Sequence, residues 1–139
     1  MREKSFKFFI KQKSILIDEK RFVIANLQKK MENLQEKIDQ KKSKIDLLDS
    51  QEYESLFSLH NAKALQKELK KEIAQLNQQK RVLEEEIEEI KIELKEIFSQ
   101  KKALEKMLQK QRIEAQHKKM QEENRLADES HLRKTLFHS

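Results

Sequence analysis

The sequence predicts an all-α protein, an antiparallel two-helix coiled-coil hairpin. Three observations predict it. The 139 residues include no Gly and no Pro, the residues that punctuate turns and cap helices. Charged side chains make up 40% of the chain and aromatic ones only 6%, a balance typical of long solvated helices. Apolar residues recur at alternating steps of three and four, which makes a narrow seam that another helix must cover. No segment alternates apolar and polar residues with β-branched enrichment, so no strand is expected.

The seam is clearest from Leu69 to Leu108. One column holds Leu69, Leu76, Leu83, Ile90, Ile97 and Leu104, heptad position d. The other, position a, holds Ile73, Lys80, Ile87, Leu94, Lys101 and Leu108. The earlier part of the chain has its own a column of Ile10, Ile17, Ile24, Met31, Ile38 and Ile45. Its d column is Phe6, Lys13, Lys20, Leu27, Leu34, Lys41 and Leu48. Between 49 and 61 the pattern fails, with Glu52 and Ser55 in core slots and several weak helix formers nearby. Asp49-Ser50-Gln51-Glu52 has the spacing of a capping box, which marks a helix start. The reading is one coiled-coil domain over 1–139, with a first arm over 6–55, a bend over 56–61, a second arm over 62–128 and a C-terminal tail over 129–139.

Two architectures compete for this pattern. The heptad phase does not slip across the bend, so one uninterrupted helix in a parallel dimer is conceivable. Its cost is five layers in which Lys13, Lys20, Lys41, Lys80 and Lys101 each face their own copy. Folding the chain back so that facing core residues have numbers summing to 114 removes most of this. Ile45 then meets Leu69, Ile38 meets Leu76, Met31 meets Leu83, Ile24 meets Ile90, Ile17 meets Ile97 and Ile10 meets Leu104. Phe6 meets Leu108 and Leu27 meets Ile87, and Lys13–Lys101 is the one like-charge layer left. A lysine opposite Leu can lay its stem along the seam and reach water, whereas two ammonium groups in one layer repel. The hairpin is favoured, as a monomer, with its bend centred near residue 57. A first arm of this length spans roughly 75 Å, and the second arm overhangs it past Gln111.

Function classes narrow by what is missing. No Cys means no disulfide or thiolate chemistry. The longest apolar run, Phe22-Val23-Ile24-Ala25, is far below the roughly 20 residues of a membrane span. The N-terminus carries Lys4, Lys7, Lys11 and Lys13 and lacks a secretory apolar core, so a cytoplasmic location is expected. His60, His117, His131 and His138 form no metal-binding spacing, and a phosphate-cradling loop needs Gly. The acidic run from Glu84 to Glu89 reads as a solvated helix face more readily than as paired catalytic acids. No enzyme activity and no cofactor are expected. The net charge of +6 comes from interleaved charges, without the continuous basic block of a nucleic-acid binder. It is unevenly spread. Residues 1–49 hold 13 basic and 8 acidic side chains, residues 50–100 hold 8 and 11, and residues 101–139 hold 10 and 6.

Several large apolar residues fall where a two-stranded coil meets water. Phe8, Phe22 and Phe57 are at position f, and Phe9 and Val23 at g. Phe6, Phe8 and Phe9 lie at the basic end, and Tyr53 and Phe57 lie at the bend. Past Gln111, Leu126, Leu132, Leu136 and Phe137 have no seam opposite them. Clusters of this kind suggest partner surfaces, against the blander reading of frayed ends and local packing at the bend.

Some of these residues resemble a known family. Phe6-Lys7-Phe8 before a long heptad arm, Lys102-Ala103-Leu104-Glu105-Lys106-Met107-Leu108, and Glu123 to Glu129 with its closing Asp128-Glu129 are similar to segments of FliJ-type proteins. Glu52-Tyr53 resembles the Glu-Tyr that closes the first arm in that family. The resemblance implies a small cytoplasmic component of the flagellar type III export apparatus, associated peripherally with the inner membrane. It implies a stalk whose terminal end enters the hexameric export ATPase, with Phe6, Phe8, Phe9, Leu126 and Leu132 as contact candidates. It implies that the bend half meets the cytoplasmic domain of an FlhA-like export gate, with Tyr53, Phe57, Leu65 and Leu69 as candidates. Export chaperones are further implied partners. Other readings are a structural coiled-coil scaffold, or a membrane-surface adaptor anchored by Phe6, Phe8, Phe9 and the N-terminal lysines.

Overall fold

The computed structural model describes residues 2–137, and the side chain of Phe137 and all of His138 lie outside the described residues. It contains two helices, α1 (Glu3–Ser50) and α2 (Leu56–Phe137), packed against each other as an all-α hairpin. No strand occurs among the described residues. Contacts group the chain into two units. One joins Met1–Ile17 to Glu96–Ser139, and is called here the terminal unit. The other, Asp18–Lys95, contains the link between the helices and is called the connection unit.

In the connection unit, Ile24, Leu27 and Ile87 form a buried cluster, with Met31, Leu83, Ile90 and Leu94 packed on it. Six of these residues are three facing pairs of the predicted register, and Leu94 stands opposite Lys20. Ile38 is the most deeply covered side chain, at 1% exposure. In the terminal unit Phe6, Ile17 and Leu108 are buried. The cross-helix polar contacts obey the same register. Lys20–Glu93 (2.6 Å) and Lys41–Glu72 (2.7 Å) join residues whose numbers sum to 113, and Lys80–Gln35 (2.9 Å) joins a pair summing to 115. Within the terminal unit Lys13 Nζ donates to Gln100 Oε1 at 2.7 Å and Arg112 Nη2 lies 2.9 Å from Glu3 Oε1.

The lysines in core slots therefore do more than escape to water. Each of Lys13, Lys20, Lys41 and Lys80 lays its stem beside the seam and ends on an acceptor of the other helix. Lys101 turns to Glu105 on its own helix (3.8 Å), away from Lys13, which relieves the one like-charge layer. These pairs are partly exposed, so each is worth only a few tenths of a kcal/mol, up to about 1. Holding a lysine stem partly covered at a core position is more costly. The double variant Lys20→Leu/Lys41→Leu is expected to be more stable by roughly 1 kcal/mol per site, read as a rise in the thermal midpoint.

The link between the helices sits earlier than the sequence suggests. It spans 51–55, and the predicted bend residues 56–61 are the first turns of α2. The first arm accordingly ends at Ser50, not at 55. The capping spacing at Asp49–Glu52 is not used. Instead Ser55 Oγ accepts the Ser58 N–H at 3.1 Å, and Ser55 caps α2. Asp49 is occupied by Gln66 Nε2, which donates to its Oδ1 at 2.5 Å. The last four carbonyls of a helix lack partners within it, and Gly in a left-handed conformation commonly satisfies them. Here there is no Gly, and no described residue has positive φ. Side chains do the work: Tyr53 Oη donates to the Leu48 carbonyl at 2.6 Å and Ser50 Oγ to that of Leu47 at 2.9 Å, while Gln66 Nε2 reaches the Ile45 carbonyl further back in α1 at 3.3 Å.

The register explains what the link leaves bare. With facing numbers summing to 114, Ser50 is level with residue 64, so residues 56–63 of α2 have no turn of α1 opposite them. Leu56 and Phe57 are 85% and 74% exposed there. The C-terminal end also differs from expectation. The predicted tail over 129–139 is, in its described part, helical: α2 continues to Phe137, and 138–139 lie outside the described residues. From 112 to 136 every residue is exposed. Beyond Arg112, which pairs with Glu3, that stretch has its own backbone bonds and short-range pairs, among them Arg125 with Glu122 (2.5 Å) and Glu129 (3.4 Å).

Candidate functional surfaces

The candidates of the terminal unit divide by burial. Phe6 is 5% exposed, filling the seam at the level of Leu108, so its ring is not offered to a partner. Phe8 and Phe9 are exposed and meet edge to face, with ring centroids 5.6 Å apart and an interplanar angle of 66°. Two aromatic rings held against each other in water form a preset apolar surface. Leu126 and Leu132 are also exposed. They do not join Phe8 and Phe9. The Glu3–Arg112 pair marks the level at which α1 begins, and Leu126 lies roughly 20 Å further along α2, with Leu132 roughly 30 Å further.

The Glu3–Arg112 pair also shifts ionisation. Arg112 hydrogen-bonds to the Glu3 carboxylate and, with Lys7 nearby, holds it below its ordinary value. A lowered carboxylate pKa contributes stability that is complete above the ordinary Glu range and is lost as pH falls through the lowered value. The carboxylate resonance of Glu3 is therefore expected to titrate at lower pH than in the Arg112→Gln variant, as followed by NMR.

In the connection unit the gate candidates also divide. Leu69 is 6% exposed and belongs to the seam. Tyr53 is half-buried, and its hydroxyl is committed to the end of α1. Phe57 and Leu65 are exposed. Tyr53→Phe keeps the ring and removes the cap on α1. It is expected to cost about 1 kcal/mol, measured by chemical denaturation.

Several exposed residues were not among the sequence candidates. Leu56 and Leu47 stand bare near the link, and Ile15, Leu16 and Met107 in the terminal unit. Heptad bookkeeping could have found Ile15 and Leu16, which repeat positions f and g one heptad after Phe8 and Phe9. Phe22 and Val23, the outward pair in the connection unit, are exposed as expected.

A shallow groove of ≈ 450 Å³ in the connection unit is lined by Lys30, Leu34, Lys37, Val82 and Leu83, with Asn33 and Gln79. It presents two side-chain amides and two lysine amines beside an apolar floor. No group of three potential metal ligands occurs among the described residues, and no helix there is long and apolar enough to cross a membrane.

The fold and its surfaces define a two-helix coiled-coil hairpin that presents separate apolar patches in its terminal unit and near its link. Comparison with protein-family models, curated proteins and solved structures finds no match for this chain.

Proposed function

We propose that this protein is a non-enzymatic stalk or adaptor of a flagellar-type export apparatus, coupling a hexameric export ATPase to a membrane export gate. The observation that carries the reading is the hairpin itself. Both chain ends fall in one unit and the link in the other, so two partners can be engaged by different parts of one chain. The two units differ in charge, which suits two different partners. The terminal unit holds 15 basic and 8 acidic side chains, a net +7, and the connection unit holds 16 and 17, a net −1. Each presents exposed large apolar residues, Phe8 and Phe9 in one and Leu56 and Phe57 in the other. The FliJ-type segments quoted above support the same reading.

In this reading the terminal unit binds the ATPase through Phe8, Phe9, Leu126 and Leu132. The turns after the link bind the gate domain through Phe57 and Leu65, with Tyr53 holding the end of α1 beside the link. Phe6 and Leu69 contribute through the seam. The protein acts in the cytoplasm at the inner membrane, and export chaperones are additional partners. Bias generated by nucleotide turnover in the hexamer passes along the stiff paired helices.

The test is capture of a purified hexameric export ATPase by this protein. Capture is expected to be lost in the Phe8→Ser/Phe9→Ser variant and kept in Phe57→Ser/Leu65→Ser, which should instead lose an isolated gate domain. No capture by the parent protein, or capture indifferent to both variants, sinks the reading.

A further inference from the structure

A helix in a two-stranded coil needs apolar residues at two positions in seven, whereas one packed in a larger bundle adds a third position beside the seam. The terminal part of α1 has that third position. Phe9 and Leu16 occupy g, next to the seam residues Phe6 and Ile17, yet are 39% and 37% exposed. In an antiparallel pair the g edges of the two helices adjoin. On α2 the g position at this level is Met107, 52% exposed. Phe8 and Ile15, at 55% and 48%, widen the same side of α1. The seam between α1 and α2 is already filled by Phe6, Ile17 and Leu108, so these residues are surplus to the hairpin.

We propose that the g edge of the terminal unit, lined by Phe9, Leu16 and Met107, is a docking groove for a third helix, an acidic amphipathic helix supplied by a different protein. The shape argument is the added third position, which repeats at heptad spacing from Phe9 to Leu16 and matches the rise of a helix laid along the edge. The charge argument selects the partner. Lys106 and Lys110 are exposed on α2 beside Met107, and the unit as a whole carries +7. Lys13 brings its ammonium to the same edge at Gln100. A second copy would bring +7 against +7, which disfavours self-association. The exposed apolar area, on the order of 400 Å², also falls short of the roughly 800 Å² per partner of a standard stable interface. A single helix with carboxylates flanking its apolar stripe satisfies both terms, and the modest area makes the contact reversible. This surface needs no export role, and it would stand if the stalk reading failed.

The experiment uses the full chain and a synthetic probe. The probe is a labelled three-heptad helical peptide with Leu along one stripe and Glu on both flanks. The control has Lys in place of every Glu. Fluorescence anisotropy is expected to show binding of the Glu peptide that weakens with added salt, and at least about tenfold weaker binding of the Lys peptide. Leu16→Ser/Met107→Ser should reduce Glu-peptide binding by about tenfold while leaving the helical circular dichroism of the hairpin intact. If that variant loses its helical signal, Lys106→Glu/Lys110→Glu replaces it and should weaken the Glu peptide while strengthening the Lys peptide. Equal affinity for the two peptides, no binding, or binding unchanged in the variants overturns the proposal. So does capture by phosphatidylserine vesicles without peptide binding, or concentration-dependent dimerisation that blocks the peptide. Failure to bind an export ATPase has no bearing on these readouts.

Discussion

Ile38→Ala is expected to destabilise the hairpin by about 3 kcal/mol, because a fully covered side chain in a close-packed seam leaves a cavity that the helices only partly close. Ile38 is 1% exposed and sits opposite Leu76 in the register. For a chain of this size that loss lowers the thermal midpoint by roughly 10 °C, measured by circular dichroism at 222 nm. The control is Ile15→Ala, the same chemical change at a residue 48% exposed, which should cost less than about 0.5 kcal/mol. Equal effects at the two sites would mean that the seam between α1 and α2 does not hold the structure together.

The second large effect is expected from Lys29→Pro. Lys29 is exposed on α1, so the substitution removes no seam contact. It removes a backbone donor from the helix interior and sets the proline ring against the preceding turn, at a cost of about 3 kcal/mol or more. The double substitution Lys29→Gly/Lys30→Gly softens the same place at about 1 kcal/mol per site. If the protein transmits force as a stalk, the Gly pair keeps ATPase capture, since Phe8 and Phe9 are untouched, yet lowers export in cells. Export at the parent level with a verified softer helix would remove mechanical coupling from the account and leave simple tethering.

Most of the architecture was legible from the heptad columns. Burial follows those columns closely: Ile17, Ile24 and Ile38 at a of α1, and Leu69, Ile87 and Leu108 at core positions of α2, are all covered. The reason is that a two-helix coil has one contact line, so periodicity alone says which residues lie on it. The register was legible because misplacing it would set lysine against lysine. The link was misplaced for a local reason. Weak helix formers are spread over 49–61, and nothing in composition alone chooses among Asp49, Ser50 and Ser55 as the cap. Asp49 and Ser50 fall in the last turn of α1, so the cap of α2 falls to Ser55, while Asp49 instead accepts a bond from Gln66, which is distant in sequence.

The candidate surfaces were only half legible. Phe6 and Phe8 look alike as residues in an N-terminal aromatic cluster, but one faces the seam and the other does not, and heptad position separates them. Leu69 likewise belongs to a column. Tyr53 could not be separated this way, because its role comes from reaching back to the Leu48 carbonyl across an irregular segment.

The amino-acid sequence by itself determined that there are two long helices, which face of each is covered, and in which register they pair. Those follow from the period of apolar residues and from charge repulsion, both properties of order along the chain. Only the tertiary structure decided where the link falls and how the end of α1 is satisfied without Gly. It alone gave each seam lysine its acceptor and left Leu56, Leu16 and Met107 uncovered. Those depend on which side chains from distant positions arrive at the same place, and a one-dimensional pattern carries no record of that meeting.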